Sequence, residues 1–172
     1  FRSIGQEAEV MPIADEKVLL KGRKFTTGKE CLPCTITSGD MLAVTERDDF
    51  DCDKAAFFMP GGNGPCRFGM YNCMHRLILG YAGAEGASVI SPNQDCGFYR
   101  ELTKNLKGCS VRGFLKLLWT ATVGIDLMYK VLLRVRPFAE DRSQAQMAYD
   151  KSLGQWLGAI EEGRKLSELA GV

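Results

Sequence analysis

The chain has 172 residues, which is long enough for one ordinary domain with a sizeable core. Hydrophobic residues make up 45% of it and charged residues 25%, a balance that excludes a disordered or fibrous protein. The formal net charge is +1, whereas proteins that bind nucleic acid usually carry a clear basic excess. The longest apolar run in the C-terminal third, residues 117–125, is too short to span a bilayer. The composition therefore predicts a globular protein that binds neither nucleic acid nor membrane.

In chain order, short apolar segments typical of buried strands alternate with helical patterns. We expect strands at residues 7–12, 55–60 and 88–92, and residues 1–6 resemble the end of a helix. We expect helices at 34–46, 70–81, 98–106, 111–135 and 143–169, with Pro137 ending the fourth helix and Ser143 capping the fifth. Strands that alternate with helices predict a parallel sheet and a three-layer α/β domain over residues 1–110. A helical extension, residues 111–172, is expected to pack on this domain.

Seven cysteines are the unusual feature of the composition. The chain opens at Phe1 without Met and without a secretory signal, which predicts a fragment of a longer, cytoplasmic protein. An odd number of cysteines in that setting favours reduced thiols that act as ligands or nucleophiles over a disulfide framework. With one histidine in the chain, a zinc site built on imidazoles is nearly excluded. The cysteines are Cys31, Cys34, Cys52, Cys66, Cys73, Cys96 and Cys109.

Four of these cysteines follow the predicted strands. Cys31 and Cys34 come after the first strand, at the start of a helix, while Cys66 comes after the second. Cys96 comes just after the third. Because the loops at the carboxyl ends of parallel strands gather at one edge of a sheet, where ligands bind, we expect these thiols on the same side.

The first cysteine motif is Lys29-Glu-Cys-Leu-Pro-Cys34. At a helix N-terminus, free N–H groups and the helix dipole stabilise a thiolate. Two cysteines with two residues between them can ligate a metal or a cluster, or close a redox disulfide. The alternative is that Cys34 is a small buried hydrophobic residue on the helix.

The second motif is the turn Gly61-Gly-Asn-Gly-Pro-Cys-Arg-Phe-Gly69. It matches neither a Walker loop nor a dinucleotide fingerprint. Its glycines allow the backbone to direct N–H groups at an anion, and Cys66 lies among them beside Arg67. An anionic iron–sulfur cluster would be well placed there, because hydrogen bonds to its sulfurs tune its potential. An ordinary tight turn with a packed cysteine is the alternative.

The remaining candidates give weaker signals. Cys52 lies among the carboxylates of residues 48–53, which oppose thiolate formation. We expect Cys73 in the core, Cys109 in a loop away from the binding edge, and His75 on the surface of a helix.

The two motifs together resemble a known family. Gly28-Lys-Glu-Cys-Leu-Pro-Cys34, with Ser38-Gly-Asp40 downstream, resembles the GKECxP…GD segment of proteins related to the activators of 2-hydroxyacyl-CoA dehydratases, the CoA-substrate-specific enzyme activase family. The turn at residues 64–71 is similar to that family's GPCRFGQY, with Met70 in place of Gln. Weaker similarities at residues 91–93, 123–126 and 136–140 extend the resemblance through most of 22–140.

The resemblance implies a Rossmann-like core that holds an iron–sulfur cluster, of the [4Fe–4S] type, in the dehydratase-like region of such a protein. Cys31 and Cys66 match motif cysteines, Cys34 and Cys96 are additional candidate ligands, and Gly64 and Arg67 are candidate cofactor-binding residues. The implied function is electron transfer in ATP-driven, low-potential chemistry on acyl-CoA substrates. The implied partners are an ATPase activator module, in the same or a partner chain, and an acyl-CoA dehydratase or reductase; a homodimer is also an expectation.

Two other functions compete with this one. Cys31-Leu-Pro-Cys34 has the CxxC form of thiol–disulfide oxidoreductases, although that interpretation leaves Cys66 and Cys96 unexplained. A non-catalytic interaction domain with buried, inert cysteines leaves all four unexplained.

Overall fold

The computed structural model describes residues 1–104 and 109–163. The strands are β1 (Ala56–Phe58) and β2 (Ser88–Ile90), and single turns of 3-10 helix occur at Arg2–Ile4 and Arg67–Met70. The helices are α1 (Glu16–Phe25), α2 (Leu32–Thr45), α3 (Tyr71–Tyr81), α4 (Phe98–Lys104), α5 (Val111–Val135) and α6 (Arg142–Glu161). The fold is therefore a mixed, helix-rich one with a small sheet.

The chain divides into two compact units. Glu9–Leu102, the sheet unit, contains β1, β2 and the helices α1 to α3. Phe1–Ala8 with Thr103–Val172, the helical unit, contains α5 and α6. The expected packing of the helical extension on the α/β domain stays a prediction.

The sheet pairs the second and third predicted strands. β1 and β2 are parallel, with Phe57 opposite Val89, and Gly61 forms a further parallel bridge with Asn93. The connection through α3 is a β–α–β unit, as the alternation of patterns predicts. Phe57 and Val89 point into the core of this unit, which also contains Met41 and Leu79. The parallel arrangement is confirmed, whereas two strands do not make a three-layer Rossmann-like sheet, and that finer description is not confirmed.

The predicted first strand, at residues 7–12, is wrong. These residues form no strand, and the side chains of Val10 and Ile13 nearby are 91% and 98% exposed. The apolar run is short, it ends at Pro12, and two of its six residues are glutamates whose charge favours solvent. The carboxylate of Glu9 instead pairs with Arg47, 3.0 Å away.

A helix takes up the residues that follow. The Asp15 carboxylate accepts a hydrogen bond from the Val18 N–H at 3.0 Å and so caps α1. α1 crosses α2 at two glycines: a Cβ on Gly22 would lie 1.9 Å from the Thr35 carbonyl oxygen, and one on Gly39 would lie 2.0 Å from that of Val18. The two backbones therefore meet directly, which fixes the position of α2.

The other helices form close to their predicted places. α2, α3 and α5 confirm three predicted helices, and α4 confirms the part of the 98–106 helix that the structure describes. Residues 1–6 contain a single 3-10 turn. α6 begins one residue early, because the Asp141 side chain, not that of Ser143, accepts the capping hydrogen bond. α6 ends at Glu161, so the predicted helix is too long at residues 162–163, and its predicted part at 164–169 lies outside the described residues. None of the helices in the described ranges combines the length and apolar character that a membrane crossing requires.

Candidate functional site

Cys31 lies at the N-terminus of α2, where it is the N-cap residue. Its carbonyl oxygen accepts hydrogen bonds from the N–H groups of Cys34 and Thr35 at 3.0 and 3.3 Å. The turn before it is held by the Glu30 carboxylate, which accepts the Thr27 N–H at 2.8 Å, and Gly28 adopts φ 83°, a conformation that favours glycine. The thiol of Cys31 is half-buried, and that of Cys34, one turn into the helix, is buried.

The Cys31 sulfur is hydrogen-bonded to Tyr71, the last residue of the turn at residues 64–71, to which the sequence assigned no role. Tyr71, the first residue of α3, brings its hydroxyl oxygen to 2.6 Å from Cys31 Sγ. The phenol ring is buried and lies edge-on to the rings of Phe68 and His75, at centroid distances of 5.4 and 6.0 Å. Because the two partners lie 40 positions apart in the sequence, the contact depends on how α3 packs against α2.

The two thiols of the CxxC motif have opposite electrostatic environments. The hydrogen bond from Tyr71, the Cys34 backbone N–H and the charge of Arg67 lower the pKa of Cys31. Burial, together with the charges of Cys31 and Glu30, raises the pKa of Cys34. The outer cysteine is thus the one favoured as a thiolate, and the inner one is favoured as a thiol.

The second motif is joined to the first through an arginine. The exposed Cys66 is the N-cap of the 3-10 turn Arg67–Met70. The guanidinium of Arg67 donates a hydrogen bond to the Lys29 carbonyl oxygen at 2.8 Å, two residues before Cys31. This bond ties the glycine-rich turn to the segment that leads into α2.

The Tyr71 hydroxyl also feels the charge of more than one candidate ligand. Burial of the phenol and its hydrogen bond with Cys31 raise the pKa of Tyr71, and the charges of Cys31, Cys34 and Cys66 raise it further. The structure therefore brings three of the four predicted cysteines into electrostatic reach of one group. Cys96 is exposed in the loop after β2, and Gly64 is exposed in its turn with open space around its Cα. The ligand role of Cys96 and the cofactor-binding roles of Gly64 and Arg67 stay predictions.

His75 is fully buried, so its predicted place on a helix surface is wrong. It lies one turn after Tyr71 on the buried face of α3, which continues with Ile78 and Leu79. Its Nε2 lies 3.0 Å from the Thr37 hydroxyl, whereas its Nδ1 has no hydrogen-bond partner within the described residues. Burial lowers the pKa of His75 to about 4, so the ring is neutral at pH 7.

Among the three cysteines with weaker signals, the prediction for Cys73 is wrong. Cys73 is exposed, not in the core, because the buried face of α3 runs through residues 71, 75 and 78. Cys52 is half-buried and packs against the core of the sheet unit, and Cys109 lies in a loop.

The candidate ligands are cysteines, whose sulfurs are the donors that iron–sulfur clusters take. Within residues 1–104 and 109–163, no three His, Cys, Asp or Glu side chains are grouped as ligands of one ion would be. The cysteines of an iron–sulfur cluster bind different iron atoms, so they need not converge on one point. Cys31, Cys34 and Cys66 offer sulfur donors of the kind that such a cluster takes, and Tyr71 and Arg67 lower the pKa of the Cys31 thiol.

No protein-family model, curated protein or solved structure matches this chain.

Proposed function

We propose that this chain is an iron–sulfur electron-transfer domain of an acyl-CoA dehydratase or reductase activase-related protein. Cys31, Cys34 and Cys66 would hold the cluster, most simply a [4Fe–4S] cluster, with Cys96 as a further ligand. The bound cluster would accept and release one electron at low potential. The proposal includes a cytoplasmic location and a Rossmann-like, three-layer setting to which β1 and β2 belong.

One observation supports the proposal above all others: the two cysteine loops meet beside Cys31, where the Arg67 guanidinium donates to the Lys29 carbonyl oxygen at 2.8 Å and the Tyr71 hydroxyl lies 2.6 Å from the Cys31 sulfur. The charges of Cys31, Cys34 and Cys66 all reach Tyr71, although the first and last of these cysteines are separated by 34 intervening residues. Both cysteines stand at the start of a helical turn, and for Cys31 the hydrogen bond from Tyr71 and the backbone N–H of Cys34 lower the pKa of the thiol. Thiols that only filled space in the core would not require this arrangement.

The protein's own residues would have distinct tasks. Arg67 would connect the two ligand loops through its hydrogen bond to the Lys29 carbonyl and would offset the negative charge of the cluster. The backbone N–H groups around Gly64 would face the cluster sulfurs from the glycine-rich turn. Electrons would come from an ATPase activator module and pass to an acyl-CoA dehydratase or reductase, with a homodimer as one possible assembly.

Anaerobic reconstitution with ferrous iron and sulfide tests this function. We expect wild-type protein to retain iron and acid-labile sulfide with a broad visible absorption band, and Cys31→Ser and Cys66→Ser to lose at least half of both. Cys73→Ser is the matched control, because Cys73 is an exposed cysteine on α3. Absence of a cluster from wild-type protein, or equal retention in all three variants, would contradict the proposal.

A second function, thiol–disulfide exchange, is favoured by the contrast within the CxxC motif. The pKa of Cys31 is lowered by the hydrogen bond from Tyr71, while burial raises that of Cys34. Cys31 would attack a substrate disulfide, forming a mixed disulfide and releasing one substrate thiolate. Cys34, after losing its proton, would then displace the second thiolate and close a Cys31–Cys34 disulfide, so that the substrate gains the two electrons that the dithiol loses. Insulin reduction that persists in Cys66→Ser and is lost in Cys31→Ser would favour this function over the first.

A further inference from the structure

The Tyr71 hydroxyl is placed to act on the sulfur of Cys31 rather than to serve packing alone. The oxygen and the sulfur are 2.6 Å apart, and a sulfur bound to iron carries no hydrogen. The hydroxyl must then be the donor and the sulfur the acceptor. The phenol ring is only 6% exposed, so water competes little for this hydrogen.

The ring that carries the hydroxyl is held from two sides. Phe68 lies 5.4 Å from it in an edge-on arrangement, and His75 lies 6.0 Å away on the next turn of α3. His75 is fixed in turn by Thr37, whose hydroxyl is 3.0 Å from Nε2. Thr37 belongs to α2, the helix that Cys31 caps. Two contacts, Cys31 with Tyr71 and Thr37 with His75, therefore join α2 and α3 on the side that carries the sulfur.

We propose that Tyr71 is the residue that tunes the cluster through a hydrogen bond to the Cys31 ligand sulfur. The inference depends on the proposed function. A hydrogen bond to a ligand sulfur stabilises the reduced cluster more than the oxidised one, because reduction adds negative charge to the sulfur. Tyr71 thus raises the reduction potential without contributing a ligand, and it is a positioning and tuning residue.

Redox titration of the reconstituted protein tests this role, with Tyr71→Phe as the variant. The substitution removes the hydroxyl and keeps the ring that packs on Phe68 and His75. We expect iron and sulfide contents equal to wild type and a more negative midpoint potential. At the wild-type midpoint the ratio of reduced to oxidised cluster should fall severalfold. Tyr81→Phe is the matched control, since Tyr81 lies on the same helix and is 80% exposed; its midpoint should equal that of wild type.

The outcomes separate this inference from the function on which it depends. A cluster present in all three proteins with unchanged potential in Tyr71→Phe would overturn the role of Tyr71 and leave the proposed function standing. A cluster lost only from Tyr71→Phe would also overturn it, because Tyr71 would then be required for assembly rather than for tuning. Absence of iron and sulfide from wild-type protein would overturn the proposed function and the inference together.

Discussion

The two long helix pairs of this protein meet at glycines, but different groups occupy the space that each glycine leaves. Where α1 crosses α2, Gly22 and Gly39 each face a backbone carbonyl of the other helix. Where α5 meets α6, Gly124 faces the indole of Trp156, and a Cβ there would lie 2.1 Å from Cζ2 of the ring. A carbonyl in a helix cannot move without breaking the helix, whereas an indole can change rotamer. The first contact is therefore rigid and the second can adjust.

This difference matters because of what each pair carries. α2 begins at Cys31, so the α1–α2 crossing fixes the thiol that Tyr71 and Arg67 approach. The α5–α6 pair carries none of the four candidate ligands, and many of its apolar side chains, Trp119 among them, are exposed. The rigid crossing therefore supports the candidate site, whereas the adjustable contact lies in the helical unit.

The largest effect is expected when the rigid crossing is broken. In Gly39→Ala the new Cβ would lie 2.0 Å from the Val18 carbonyl oxygen, so the helices must separate. We expect the free energy of unfolding of the sheet unit to fall by more than about 3 kcal/mol. Hydrogen exchange of α2 peptides, followed by mass spectrometry, measures this loss without interference from the helical unit.

Gly80→Ala is the control for that substitution. Gly80 is also a helical glycine of the sheet unit, and a Cβ there would meet no atom within 4 Å. It should stabilise the unit by about 0.5–1 kcal/mol through helix propensity alone. If Gly39→Ala were as stable as Gly80→Ala, the direct backbone contact between α1 and α2 would be disproved.

A smaller loss of stability is expected at the contact between Gly124 and Trp156, because a change of the Trp156 rotamer can relieve the clash. Gly124→Ala should lower the free energy of unfolding of the helical unit by about 2–3 kcal/mol, because the indole of Trp156 must shift and its weak hydrogen bond to the Ala121 carbonyl, 3.4 Å long, is strained. Urea unfolding followed by tryptophan fluorescence reports on this unit alone, since both tryptophans, Trp119 and Trp156, lie in it.

A second substitution sharpens the comparison between the pairs. In a Trp156→Leu background, Gly124→Ala should lower the free energy of unfolding much less than in wild type, because the clashing side chain is gone. Circular dichroism and the fluorescence of the remaining Trp119 measure this unfolding. No side-chain substitution on α1 should rescue Gly39→Ala, whose clash is with the backbone. Equal cost of Gly124→Ala in both backgrounds would show that the two contacts do not differ in kind.

The same contacts explain which parts of the structure the sequence could predict. β1 and β2 were predictable because each is a short apolar run bounded by turn-forming residues, and α5 because its apolar spacing continues over 25 residues. α1 was missed although its apolar side chains follow helical spacing and Asp15 stands before it as a capping residue, so the sequence did contain a signal for this helix. Residues 7–12 were mistaken for a strand because a strand pattern does not reveal whether a neighbouring strand is available.

Some features of the candidate site could likewise be predicted from local sequence, and others could not. The position of Cys31 at a helix N-terminus follows from local sequence, because Pro33 favours the first turn of a helix. The pairing of Tyr71 with Cys31 depends on the packing of two helices and has no local signal. His75 could have been placed in the core, since residues 71, 75 and 78 have the spacing of one helix face.

The smallest predicted loss of stability is a response to acid that should distinguish the two units. The only histidine of the chain, His75, is buried in the sheet unit, and burial lowers its pKa to about 4, below the usual 6.5. The unfolded chain therefore binds a proton as the pH falls below about 6.5, while the folded unit does not until about pH 4. The contribution of neutral His75 to the free energy of unfolding is fully present above pH 6.5. It falls as the pH drops from 6.5 towards 4, and the loss is about 2 kcal/mol at pH 5. The raised pKa of the Asp40 carboxyl, caused by burial, acts in the opposite direction, so the comparison must be made with His75→Gln, which keeps Asp40 and removes the imidazole.

Hydrogen exchange of α3 peptides between pH 7 and 5, corrected for intrinsic rates, should show this loss in wild type and not in His75→Gln. Tryptophan fluorescence of α5 and α6 should respond to pH equally in both proteins. A wild-type α3 whose stability is the same at both pH values would mean that His75 is not held neutral by burial.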